Sequence, residues 1–240
     1  GMTGGGYTFL MKFANGKVTV AGDTAVAAPT ERATSSYTVD RSMGPVLSFN
    51  TYNDIFHFLG EPTYGNIEGE QGDWEFVITK LTEDSIFVKG KKWENEMVFT
   101  RMADGVDWTS YLDSIADVQK RLGVNYSVGN SSDASKMVEI NSATRRILSR
   151  TADGQMVEQP FYVTPTGIHA VNEPVALGED KAQDFLVSKA GVMTAKDNED
   201  LTLNSYAPGI DTWVGEWTLS AMQGSCDMTI SKVEDQENML

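Results

Sequence analysis

The sequence predicts a mostly β protein: two antiparallel β-rich units, sandwich or barrel-like, joined by one amphipathic helix. Three observations carry this reading. First, residues 73–102, DWEFVITKLTEDSIFVKGKKWENEMVFTRM, form three runs of alternating apolar and polar side chains. Trp74, Phe76 and Ile78 share one parity, and Ile86, Val88 and Val98 continue the rhythm. The polar breaks at Thr82-Glu83-Asp84-Ser85 and at residues 91–95 have hairpin length, so the stretch reads as an antiparallel meander. Second, the period changes once, over residues 107–122. There Trp108, Tyr111, Leu112, Ile115, Val118 and Leu122 recur at spacings of three and four and make one apolar stripe. Third, strand patterns resume beyond that helix and far outnumber helical ones, which favours packed or closed sheets. The resulting division is an N-terminal β unit over residues 1–105, a connecting helix over 106–123 and a C-terminal β unit over 124–240.

Taken in order, residues 7–13 (YTFLMKF) and 17–21 (KVTVA) flank Ala14-Asn15-Gly16, and Asn-Gly between alternating apolar runs is a strong hairpin signal. Residues 25–36, rich in Ala, Thr, Ser and Pro, read as a surface loop. Strands follow at 36–39 and 45–49, around the Met43-Gly44-Pro45 break. Residues 52–59 (YNDIFHFL) read either as one helical turn or as a lid, and 61–72 as an exposed loop. The helix starts at Asp107, an N-cap residue at the positive end of the dipole, and ends on Lys120 and Arg121 before Gly123. Later strands are expected at 136–140, 145–149, 156–163, 167–171, 185–188, 192–195, 213–220 and 226–232. Turns are expected at Asp153-Gly154 and Ala190-Gly191, a charged loop at 197–200 (DNED) and a fraying tail from Val233. A faint echo links 73–80 (DWEFVITK) with 183–189 (QDFLVSK), and 37–49 with 162–171. Duplication would produce it, and so would the low information content of strand patterns.

The 240 residues, 40% of them hydrophobic, suffice for a substantial core, and the aromatic content of 10% argues against disorder. A net charge of −15 repels phosphate backbones and anionic lipid, so neither nucleic acid nor a membrane surface is expected as a partner. Cys226 is the single cysteine, which excludes an intrachain disulfide and a thiolate metal cluster; it reads as a small buried hydrophobe. Gly1-Met2 has the look of an expression scar, and the strand pattern begins almost at once. An upstream segment carrying a signal or an anchor is therefore expected.

Several stretches, GPVLSFNTYNDIFHFL, GDWEFVITKL, SIFVKGKKWENEMVFTRM and the opening YTFLMKFANGKVTVAG, resemble a family of uncharacterised Bacteroidetes lipoproteins, domain of unknown function 4302. The resemblance is best over residues 7–102 and extends more weakly through the helix and FYVTPTGI. It implies a protein anchored to the cell envelope, periplasmic or on the outer surface, whose lipid anchor lies in the segment upstream of residue 1. It also implies a setting of glycan or nutrient capture. It brings no catalytic residue.

The residues themselves nominate no catalytic centre, metal site or cofactor. His57 and His169 stand far apart among apolar neighbours, with no paired-histidine spacing and no G-x-S-x-G elbow. Acids are too abundant to single out a hydrolytic pair, and neither 61–73 nor 197–200 matches an EF-hand spacing. Aromatic residues are the suggestive feature. Trp74, Trp93, Trp108, Trp213 and Trp217, with Tyr52 and Tyr64, are candidate sugar-stacking surfaces. Trp74 falls on the apolar parity of the meander and Trp108 on the helix stripe, which assigns both to the core. Trp93 differs, because it sits in the polar turn among Lys91, Lys92, Glu94, Asn95 and Glu96. Either its ring is an exposed contact face, with Lys91 or Asn95 reaching ligand hydroxyls, or it folds back over the sheet edge. The functional expectation is a non-catalytic binding lipoprotein of the envelope that takes a glycan or nutrient. The alternative is a structural or protein-interaction component of the envelope, and a carboxylate-dependent hydrolase is less favoured.

Overall fold

The structure, a computed structural model, describes residues 5–41, 44–208, 214–221 and 224–231. The mostly β expectation holds. β1 (Phe9–Ala14) and β2 (Lys17–Gly22) form the expected hairpin. Asn15 and Gly16 both take left-handed backbone angles, φ 51° and 71°, as a two-residue turn matched to strand twist requires. β3 (Ala33–Asp40), β4 (Val46–Phe49), β5 (Glu75–Leu81), β6 (Ser85–Gly90) and β7 (Glu96–Thr100) follow. Each pairs antiparallel with its predecessor, giving a seven-stranded sheet in sequence order. A bulge at Thr79 shifts the β5–β6 register. One face buries Val18, Val20, Leu47, Phe49, Phe76 and Val88. Ile55 and Phe56, which join that core, come from the connection between β4 and β5 and not from a strand.

α1 (Trp108–Arg121) begins where the sequence places it: the Asp107 carboxylate accepts hydrogen bonds from the Thr109 and Ser110 backbone N–H groups, both at 3.2 Å. Its buried stripe is Leu112, Ile115 and Val118. β8 (Asn125–Val128), β9 (Met137–Asn141), β10 (Arg146–Arg150), β11 (Met156–Thr164) and β12 (Gly167–Ala170) come next. A small hairpin, β13 (Val175–Leu177) with β14 (Asp180–Ala182), interrupts the meander before β15 (Asp184–Val187), β16 (Met193–Ala195) and β17 (Asn198–Ser205). β17 pairs back onto β8, with Leu203 opposite Val128, so these eight strands close into a barrel. Closure removes the sheet edges. The barrel core holds Phe161, Val163, Ile168, Phe185 and Leu203 together with the α1 stripe, and Leu10 and Ala21 of the first sheet belong to the same cluster. β18 (Gly215–Ala221) and β19 (Gly224–Ile230) form a separate hairpin.

The structure corrects several local expectations. Residues 198–200 open strand β17 and are not a loop; their exposed acids gave them a loop-like composition. Cys226 is exposed on β19, where residues 226–229 are all exposed, and is not a core residue. Trp74 is 38% exposed and precedes β5, so it is not on the core face. Trp213 and the tail from Val233 lie outside the described residues. The echoed segments occupy matching places: β3, β4 and β5 are consecutive neighbours in the first sheet, as β11, β12 and β15 are in the barrel.

Candidate functional site

The β4–β5 connection, residues 50–74, contains a short 3-10 turn at His57–Gly60 and one isolated bridge, Thr63 to Asn66, and no longer element. Connections beyond about 12–15 residues without regular structure are uncommon and tend to carry function. This one is pinned from inside. The Asn53 side chain accepts from the Phe56 N–H at 3.1 Å and donates to Ser35 Oγ at 3.2 Å, while Ile55 and Phe56 pack into the apolar core of the first sheet. With those residues fixed inward, their neighbours are displayed outward. Tyr52, His57 and Trp74 stack in a column. The Tyr52 and His57 ring centroids lie 5.3 Å apart at 33°, and those of His57 and Trp74 lie 5.7 Å apart at 31°. His57 Nδ1 sits 3.1 Å from the Asn53 N–H, and burial lowers the pKa of the imidazole, so the ring between the two aromatics is neutral at pH 7. Gly60 lies against the indole so closely that a Cβ there would come within 2.6 Å of Trp74 Cζ3. The Tyr52 hydroxyl donates to Glu61. Tyr52 is 55% exposed at the other end of the column.

Beside Trp74 lies the turn between β6 and β7. The Asp73 carboxylate staples it, accepting from the backbone N–H groups of Lys92 (2.9 Å), Trp93 (3.1 Å) and Asn95 (3.3 Å) and from Asn95 Nδ2 (2.9 Å). Gly90 is required beneath it, since a Cβ would sit 1.9 Å from Asp73 Oδ2. Lys91 Nζ bonds Glu75 Oε2 at 3.1 Å, and Ser48 Oγ donates to the other Glu75 oxygen at 3.4 Å. Gly72, Asp73, Trp74, Glu75, Lys91 and Lys92 line a shallow pocket of about 90 Å³. Its charged groups are two acids and two bases.

The three residues singled out in the sequence are all at this turn, and each has a partner within the chain. Trp93 is half-buried, with the Lys92 ammonium 4.4 Å above its ring. Asn95 spends its amide on Asp73 and on the Gln71 carbonyl at 2.7 Å. Of the three, Lys91 lines the pocket, and the aromatic residue in that lining is Trp74. Parity alone hid Trp74. The available signal was its place at the end of a long, glycine-rich connection, one residue before the strand. His169, the second histidine, is remote in the fold: it bonds Asp184 at 2.9 Å across β12 and β15, with Tyr162 stacked 4.9 Å away. Among the described residues no group of three or more potential metal ligands converges.

A family model described as Domain of unknown function (DUF4302) matches residues 1–189, a span that includes the whole aromatic column and the stapled turn. No curated protein and no solved structure matches the chain.

Proposed function

The chain belongs to the DUF4302 family, and from that membership and the geometry of the β4–β5 connection we propose that it is a non-catalytic binding protein that captures a glycan at the cell envelope. The observation that carries the reading is Trp74: a large indole, 38% exposed, backed by His57 and Gly60 and bordered by the polar groups of Lys91 and Glu75. Sugar rings present an apolar C–H face and a polar rim, and an aromatic face beside hydrogen-bonding side chains complements both. The size of the pocket also favours surface recognition. At about 90 Å³ it is far below the roughly 300–1,000 Å³ of sites that enclose a small molecule. Glu75 and Lys91 are paired with each other, Asp73 is held by three backbone N–H groups and the Asn95 amide, and Lys92 lies over the Trp93 ring, an arrangement that suits binding. The envelope address, the lipid anchor and the Bacteroidetes origin rest on the resemblance over residues 7–102. Among the described residues no helix is long and apolar enough to cross a membrane.

A glycan array probed with the folded protein and with Trp74→Ala tests the proposal. At least one glycan should bind the wild type and bind the variant about ten- to a hundredfold more weakly, the equivalent of about 1.5–3 kcal/mol of lost apolar burial. An array on which the two proteins behave alike ends it. A second reading, a protein-interaction component of the envelope, is favoured by Tyr64 and Ile67. Both are almost fully exposed, at 109% and 85%, near the Thr63–Asn66 bridge of the same connection. If Tyr64→Ser with Ile67→Ser abolishes capture of an envelope protein while glycan binding is absent, that reading replaces the first.

A further inference from the structure

We infer that the Trp74 pocket takes an uncharged pyranose with adjacent equatorial hydroxyls, and that it discriminates against uronic acids and sulfated sugars. The inference rests on the glycan-binding reading and deepens it. The pocket contains Asp73 and Glu75 against Lys91 and Lys92, so its formal charge is zero. Asp73 is turned into the staple, where three backbone N–H groups and the Asn95 amide hold it. The Lys92 ammonium lies over the Trp93 ring. That leaves Lys91 and Glu75 as the polar pair beside the indole, 3.1 Å apart and with side chains 43% and 46% exposed. The Lys91 ammonium has three N–H donors and Glu75 has acceptor lone pairs beyond those used by Lys91 and Ser48. A donor and an acceptor locked side by side match two neighbouring hydroxyls, one accepting from Lys91 and one donating to Glu75. Equatorial hydroxyls lie in the mean plane of the sugar ring, which leaves the C–H face free to rest on Trp74. The Lys91–Glu75 pair carries no net charge, so a carboxylate or sulfate placed there gains no unpaired counter-ion, while Glu61, Glu68 and Glu70 stand on the same connection of a chain of net charge −15.

The test is calorimetric titration with a neutral gluco-oligosaccharide and with an oligogalacturonide of equal length. Wild type, Trp74→Ala, Lys91→Met and Glu75→Gln are compared, with thermal melting as the control for folding. The neutral sugar should bind the wild type, and each of the three substitutions should weaken it about tenfold or more, the range for hydrogen bonds to charged groups and for a stacked ring. The oligogalacturonide should bind at least tenfold more weakly than the neutral sugar. Equal or tighter binding of the oligogalacturonide overturns this inference but leaves the glycan reading standing. So does neutral-sugar binding that depends on Trp74 but ignores both Lys91→Met and Glu75→Gln. Absence of binding by either sugar, with the array also blank, overturns both.

Discussion

Asp73 does at one position what the turn of residues 91–95 cannot do alone. The backbone N–H groups of Lys92, Trp93 and Asn95 point into the turn, and one carboxylate accepts all three. Asp73→Ala should cost roughly 1–3 kcal/mol, the scale for leaving such donors unmatched, read as a lower urea midpoint. Gly90→Ala should produce a similar loss, because its methyl would occupy the position of Asp73 Oδ2. Trp93→Ala should fall short of the roughly 3–5 kcal/mol of a fully buried aromatic, since the ring is half-buried. His57 makes the residue scale pH-dependent. Its folded pKa lies below the ordinary histidine value, so the unfolded chain binds the proton first as pH falls. Stability from this group is present above about pH 6.5 and is lost on acidification. His57→Phe should remove that part of the acid sensitivity in equilibrium unfolding curves. The staple was not legible in the sequence. Asp73 and Asn95 are 22 positions apart, and only the pairing of β5 with β6 brings them together.

The elements were the most legible level, because their signals are local. Asn15-Gly16 dictates its turn through the backbone angles that these two residues tolerate, and the α1 stripe through its period. The same locality makes the Asp107 cap easy to test: Asp107→Ala should cost about 1 kcal/mol, visible as a lower Tm. Elements whose character depends on what lies opposite are not decided by local pattern. The Asn198–Ser205 strand begins with exposed acids, and Trp74 carries the parity of a strand residue without being in the strand. In the 50–74 connection, the sequence predicts a helical turn or a lid over 52–59 and a loop over 61–72, and the structure has a 3-10 turn at His57–Gly60. That its middle plugs the sheet while its flanks stack outward depends on where Ile55 and Phe56 find apolar neighbours.

At the scale of the whole molecule, a buried ion pair among the described residues links the end of the first hairpin to the start of β10, alongside the shared apolar packing of Leu10 and Ala21. Arg145 Nη1 lies 3.0 Å from both Asp23 carboxylate oxygens, its Nη2 donates to the Asp23 carbonyl at 2.9 Å, and the guanidinium stacks 4.2 Å from the Tyr7 ring. Side-chain exposures of 10% and 4% keep water away from the pair. Burial nonetheless pushes the Asp23 carboxyl up to about 6, against the pull of Arg145. A raised folded pKa means that between about pH 4 and 6 the folded chain keeps a proton that the unfolded chain has lost. The stability contributed by this group therefore falls as pH rises through that window and is level above it, opposite in sign to His57. Asp23→Asn should abolish the slope and, by leaving Arg145 buried and unpaired, cost roughly 3–5 kcal/mol. The stability difference between wild type and variant, measured across that range, checks both; a pH-independent difference rejects the titration of Asp23.

By itself the sequence determined the β character, the hairpin turns and the helix with its cap, because each follows from backbone preferences and periodicity over a few neighbouring residues. It also pointed to the turn of Trp93, Lys91 and Asn95 as a place of interest. Only the tertiary structure decided that one sheet stays open while the other closes through β17 onto β8, that Asp23 meets Arg145 across 122 positions, and that Trp74 rather than Trp93 offers the freer aromatic face. Those outcomes depend on pairings between residues far apart in the chain. Burial is a property of what packs against a side chain, and a one-dimensional pattern records the side chain alone.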